Sequence, residues 1–127
     1  MSDTTTRGIR IQVESTYVEE RSVPQESYFF FAYHVVISND GSETVQLISQ
    51  EWVITDSDGN MERVQAAGVV GESPVLRPGQ TFEYTSFSPL RTSMGSRQGG
   101  YIMKLPDGET FRAEIKLFTL AVPGVVN

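Results

Sequence analysis

Apolar residues recur at every second position through most of this chain, and no long segment repeats at the helical spacing of three or four. This period is the strongest constraint on the fold, because successive side chains of a strand point to opposite faces. Ile9, Ile11, Val13 and Tyr17 alternate with Arg10, Gln12 and Glu14, and Phe111, Ala113, Ile115 and Leu117 alternate with Arg112, Glu114 and Lys116. Phe82 and Tyr84 share one face of a third strand, and Tyr101, Met103 and Leu105 mark a fourth, entered through Gly99-Gly100. The runs 28–38 and 45–56 read as longer strands. Between them, "NDGS" (39–42), "DSDGN" (56–60), "RPGQ" (77–80) and "PDGE" (106–109) supply residues that tolerate positive φ or preset a turn. Short strands at this spacing fit an antiparallel β-sandwich better than a closed barrel. One domain over 1–127 is expected, with 1–8 a frayed N-terminal segment.

Two irregularities sharpen this reading. In 45–56 the apolar anchors move from odd positions (Val45, Leu47) to even ones (Trp52, Ile54), so a β-bulge is expected near 49–51. Trp52, a large ring just after that phase change, is expected between the sheets. In 28–38 the odd face (Phe29, Phe31, Tyr33, Val35, Ile37) suffices for a core, yet the even face (Tyr28, Phe30, Ala32, His34, Val36) is also largely apolar. Something should cover it. The C-terminal "TLAVPGVV" is the expected cover, with a second subunit or a partner protein as the alternatives, giving a monomer or a weak homodimer.

Composition closes off several chemistries. A net charge of −6 argues against nucleic acid, which demands a basic footprint. There is no cysteine and only one histidine, His34, so neither a disulfide framework nor a thiolate or histidine-rich metal site can form within the chain. "MSDTTTRG" lacks an apolar signal region, and no apolar run approaches the ~20 residues of a spanning helix, so a cytoplasmic protein with no membrane partner is expected. No nucleophile, base and orienting group can be assembled by spacing, so no catalytic residue, enzymatic activity or cofactor is expected.

The stretch "AAGVVGESPVLRPG" (66–79) superficially resembles a phosphate-cradling glycine loop. Such a loop works by opening a helix, whose N-terminal N–H groups hold the phosphate. Here Pro74 and Pro78 prevent a helix, and the first glycine position is Ala66. Gly68 and Gly71 therefore read as turn residues, and a nest of backbone N–H groups is the surviving anion-binding alternative. "DSDGN" lacks the glycine and acidic spacing of a calcium loop and reads as a two-residue hairpin turn at Asp58-Gly59.

In order and spacing, "YHVVISN" (33–39), "VQLISQEWVITDSDG" (45–59), "VQAAGVVGESPVLRPG" (64–79), "FEYTSFSPL" (82–90), "MGSRQGGYIM" (94–103) and "FTLAVPG" (118–124) resemble the ApaG family. The resemblance implies an immunoglobulin- or fibronectin type III-like sandwich, here of about seven to nine strands. It also implies a protein-interaction module and an indirect link to cobalt and magnesium efflux or resistance. The alternative it carries is a small-ligand sensor for pyrophosphate, a nucleotide anion or a divalent cation at the glycine loop. This chain departs from the family pattern at Gln50-Glu51, where Arg-His is usual, at Ala66 for glycine, and at Arg97 for methionine. The expected recognition surface is the 66–79 and 87–99 loops, with Gly68, Gly71, Glu72, Glu51, Arg91 and Arg97 as its ligand- or partner-binding residues and the two arginines donating to a partner's carboxylates.

Overall fold

The computed structural model describes residues 1–124. Nine strands lie among them: β1 (Ser2–Thr6), β2 (Ile9–Tyr17), β3 (Phe29–Asn39), β4 (Val45–Asp56), β5 (Met61–Ala67), β6 (Val75–Leu76), β7 (Thr81–Leu90), β8 (Met94–Lys104) and β9 (Thr110–Ala121). All pairings are antiparallel, in one sheet ordered β1-β2-β3-β7 and another ordered β5-β4-β8-β9, with β6 beside β4. The two sheets pack as the expected all-β sandwich. Its core takes Ile9, Ile11 and Val13 from β2, the odd face of β3, and Tyr101 and Met103 from β8. Trp52 is 2% exposed and meets Tyr33, Tyr101 and Phe118 edge-on or tilted, so it anchors the core.

The N-terminus is not frayed. Ser2 to Thr6 pair residue by residue with Val13 to Ile9 across an Arg7-Gly8 turn in which both φ are positive. Threonine-rich β1 suits a pleated surface, and Arg10 holds Asp3 through two hydrogen bonds of 3.0 and 2.7 Å. The bulge in β4 falls between Leu47 and Ser49, slightly before its expected place. A second bulge was hidden by clean alternation. Arg97 pairs with Phe118 but Gly99 with Ile115, so β9 carries one extra residue and changes face there. Leu117 is consequently 47% exposed, and Phe118 takes the core position expected of it. The 56–60 turn has three residues between the paired Asp56 and Asn60 rather than two, with Gly59 at φ 85°.

The even face of β3 is covered at Phe30, though not by the segment expected, while Ala32 and Val36 are half-buried and His34 is exposed. Phe30 is 6% exposed because Phe87 stacks on it at 5.4 Å and the Arg21 guanidinium lies 4.3 Å from its ring centre. Arg21 belongs to the connection 18–28, whose two short 3-10 turns (Glu19–Arg21 and Pro24–Glu26) fold back beside β3. Residues 119–121 instead complete β9, with Leu120 in the core. The last part of the expected cover, 125–126, lies outside the described residues.

Candidate functional site

The sandwich is asymmetric at its two sides. On one, β9 lies against β1 and β2, where Ser15 Oγ donates to the Thr119 carbonyl at 2.8 Å. On the other, the sheets end in β7 and β5, and neither has an outer neighbour among the described residues. A cavity of about 420 Å³ opens between them, walled by Glu62, Val64 and Ala66 of β5 and by 86–89 of β7, with Tyr33, Trp52 and Arg97 deeper inside.

Arg97 is the chemically unusual member. It is 6% exposed, because its position on β8 shares the inward face with Gly99, Tyr101 and Met103. Its guanidinium carbon lies 4.3 Å from the Trp52 ring centre and 4.6 Å from that of Tyr33. One terminal nitrogen donates to Ser88 Oγ at 2.9 Å, while Nε is buried with no partner. None of the ion pairs among the described residues includes it. Burial pulls its pKa below the usual arginine value, and the neighbouring Tyr33, Tyr84 and Tyr101 work against that shift. Arginine nevertheless keeps its proton in proteins. The two aromatic faces supply part of the missing stabilisation, worth up to about 2 kcal/mol when desolvated. Beyond Arg97 the interior stays polar: the Tyr84 and Tyr101 hydroxyls hydrogen-bond each other, and burial raises both phenol pKa values.

The other expected site residues do not converge here. Gly68 and Gly71 both have positive φ (60° and 80°), as turn residues should. They form a tight turn closed by two reciprocal bonds of 2.8 Å between Val69 and Glu72, and the Gly68 N–H donates to the Ile48 carbonyl. Three of the N–H groups that a nest would offer an anion are thus already used, and the Glu72 side chain brings negative charge. Gln50 ties this turn to the cavity: its Nε2 donates to the Gly68 carbonyl at 3.0 Å, while its Oε1 accepts from the Trp52 indole at 2.6 Å. Glu51 points to the opposite face of the sheet, where it pairs with Arg112 and accepts from Gln65. Arg91 sits exposed in the β7–β8 turn, near the Asp56 end of β4. The glycine turn adjoins Ile48, so eight residues of strand, about 25 Å, separate the two.

Arg97 corrects the expectation of an 87–99 loop. β7 runs to Leu90 and β8 begins at Met94, so the loop is only a short turn and Arg97 is an interior strand residue. Counting back by twos from Met103 and Tyr101 marks Arg97 as inward, but the glycines and serines of "MGSRQGG" read as loop and hid the signal. Asp56 is equally committed. Its carboxylate accepts from the Asp58 and Asn60 N–H groups at 2.9 Å and from the Asn60 side chain, which holds its pKa below the usual carboxylate range.

Comparison with known proteins fixes the family. The ApaG domain model matches residues 19–105. The chain belongs to the ApaG domain family. It is 51% identical over 120 residues to Protein ApaG of Methylobacterium sp. (strain 4-46), covering 94% of this chain and 92% of that one. It is 52% identical over 120 residues to Protein ApaG of Xanthobacter autotrophicus, with the same coverage. Its fold matches the crystal structure of the putative ApaA protein from Bordetella pertussis with a TM-score of 0.89, at 42% identity over 92% of this chain and 95% of that one. Gln50 and Arg97 are two of the positions at which the resemblance implied a departure from the family pattern. Both positions line the same cavity.

The glycine turn yields a direct prediction. A Cβ at Gly68 would collide with the Glu72 carbonyl oxygen, whereas one at Gly71 meets nothing within 4 Å. Gly71→Ala should cost about 1–2 kcal/mol from its left-handed backbone alone, and Gly68→Ala clearly more. Denaturant titration checks the order. Calorimetry with millimolar pyrophosphate at constant ionic strength should show no saturable rise in Tm; a saturable rise would restore the anion-binding reading of this turn.

Proposed function

We propose that this chain is a non-enzymatic binding module that pairs with a protein partner along the outer edge of β5, beside the glycine turn. The observation carrying this reading is the state of that strand. β5 is seven residues long, six of them are exposed, and although Glu62 and Arg63 are charged, no proline, lysine or bulge interrupts it. Open edges of this kind present a row of free N–H and C=O groups, which an extended segment of another protein can continue as a further strand. The phase of the ladder identifies these groups. The Asp56 N–H donates to Asn60 and the Gly68 N–H to Ile48, so even-numbered residues of β5 bond inward to β4. Odd-numbered Arg63 and Gln65 therefore turn their N–H groups outward. Any contribution to cobalt or magnesium resistance would pass through the partner, since no three His, Asp or Glu side chains gather to hold an ion among the described residues.

Gln65→Pro tests the reading, because it removes an outward N–H while sparing the bonds to β4. Affinity capture from the native organism, read by quantitative mass spectrometry, should enrich a defined set of proteins with the wild type and lose it with Gln65→Pro at nearly unchanged Tm. Equal capture by both proteins, or none by either, would overturn the proposal.

A further inference from the structure

The edge strand alone does not account for the buried guanidinium beside it. An arginine of 6% exposure that makes no ion pair among the described residues is rare, because an unpaired buried charge is costly. Here the charge lies in an open cavity between two unpaired strand edges, with one buried N–H unsatisfied and the rings of Tyr33 and Trp52 holding the side chain in place. Such a group is preorganised for an anion and bears little further ordering cost on binding.

We propose that the cleft between β5 and β7 receives the carboxylate of a glutamate or aspartate side chain of the protein partner, bound by Arg97 with Ser88 beside it. The assignment rests on the protein-binding reading given above. Charge selects this occupant. The cleft has one guanidinium and, on its β5 wall, the carboxylate of Glu62, in a chain of net charge −6. Arg97 and Glu62 together leave the cleft with no net charge, so one incoming carboxylate adds a single excess negative charge, whereas pyrophosphate or a nucleotide would add several. The planar fork of arginine fits a planar carboxylate through two parallel hydrogen bonds. The apolar walls, Ile54, Val64, Phe87 and Pro89, suit the hydrocarbon stem of such a side chain rather than a fully hydrated inorganic anion.

The cleft carries its own reporter, since Trp52 is the chain's single tryptophan and lies against Arg97. Its emission is followed while acetyl-Thr-Val-Glu-Val-Thr-amide, the same peptide with glutamine for glutamate, or pyrophosphate is titrated at constant ionic strength. The glutamate peptide should give a saturable change, the glutamine peptide should bind about tenfold more weakly, and pyrophosphate should not compete. Arg97→Met should abolish the response while keeping a cooperative melt. Exposed Glu62→Gln, which removes a repulsive charge, should tighten binding about two- to fivefold and serves as the charge test even if the methionine variant unfolds. Equal affinity for the two peptides, no saturable response to the glutamate peptide, tighter binding of pyrophosphate, or an unchanged response in a folded Arg97→Met protein would each overturn the assignment. If the peptide fails while Gln65→Pro still abolishes partner capture, the cleft assignment falls and the edge-strand reading stands.

Discussion

Trp52→Ala is expected to lower the unfolding free energy by about 3–5 kcal/mol, a large fraction of the roughly 5–15 kcal/mol that holds a domain folded. Two losses combine. The indole is 2% exposed and packs against Tyr33, Tyr101 and Phe118 from three different strands, so its removal leaves a cavity that rigid sheets cannot close. It also lies against the Arg97 guanidinium and donates to Gln50, so truncation strips a buried charge of one aromatic face and leaves Gln50 without the indole donor. Chemical denaturation followed by circular dichroism measures the change. Melting near the wild-type temperature would show that the core does not depend on this residue.

Gly99 should be comparably intolerant, for the opposite reason. A Cβ there would collide with the Glu51 carbonyl oxygen and press on the Trp52 backbone, both on the paired strand β4. Backbone on either side leaves nothing flexible to yield, so Gly99→Ala must push β4 and β8 apart at the point where β8 also faces the bulge of β9. The expected cost is at least about 3 kcal/mol, the upper end of the overpacking range. Gly59→Ala is the comparison, since a Cβ meets nothing within 4 Å there and only the left-handed backbone penalty applies. Matched denaturation curves should place Gly99→Ala far below Gly59→Ala; coincident midpoints would show that the strands can separate at little cost.

The strand content was legible because alternation reports directly on burial: Ile9, Ile11 and Val13 read as core, and they are core. Trp52 was legible as well, since a phase change in the pattern of a single strand implies a bulge wherever both halves are buried. The second phase change was not, because Leu117 and Phe118 are adjacent and both apolar, so either could fill the inward position. Only pairing with β8 decides between them. The N-terminal strand was obscured by its polarity: Asp3 and three threonines look like a solvated tail until Arg10 and the β2 edge are beside them. The cover over Phe30 comes from Arg21 and Phe87, residues nine and fifty-seven positions away, which periodicity along one strand cannot bring together. The placement of the candidate site residues was obscured for a related reason. Composition assigned Gly68, Gly71, Arg91 and Arg97 to one loop surface, whereas strand pairing places the glycine turn and Arg91 near opposite ends of β4 and turns Arg97 inward.

Photocrosslinking in the native organism addresses the central claim most directly. A benzophenone amino acid replaces Ala66, which lines the cleft from β5, or Lys116, which is exposed on β9 at the far side of the sandwich. Irradiation should join a partner protein to position 66 and not to position 116, and the crosslinked peptide should contain a glutamate or aspartate within an extended segment. No adduct at 66, or the same adducts at both positions, would contradict the account.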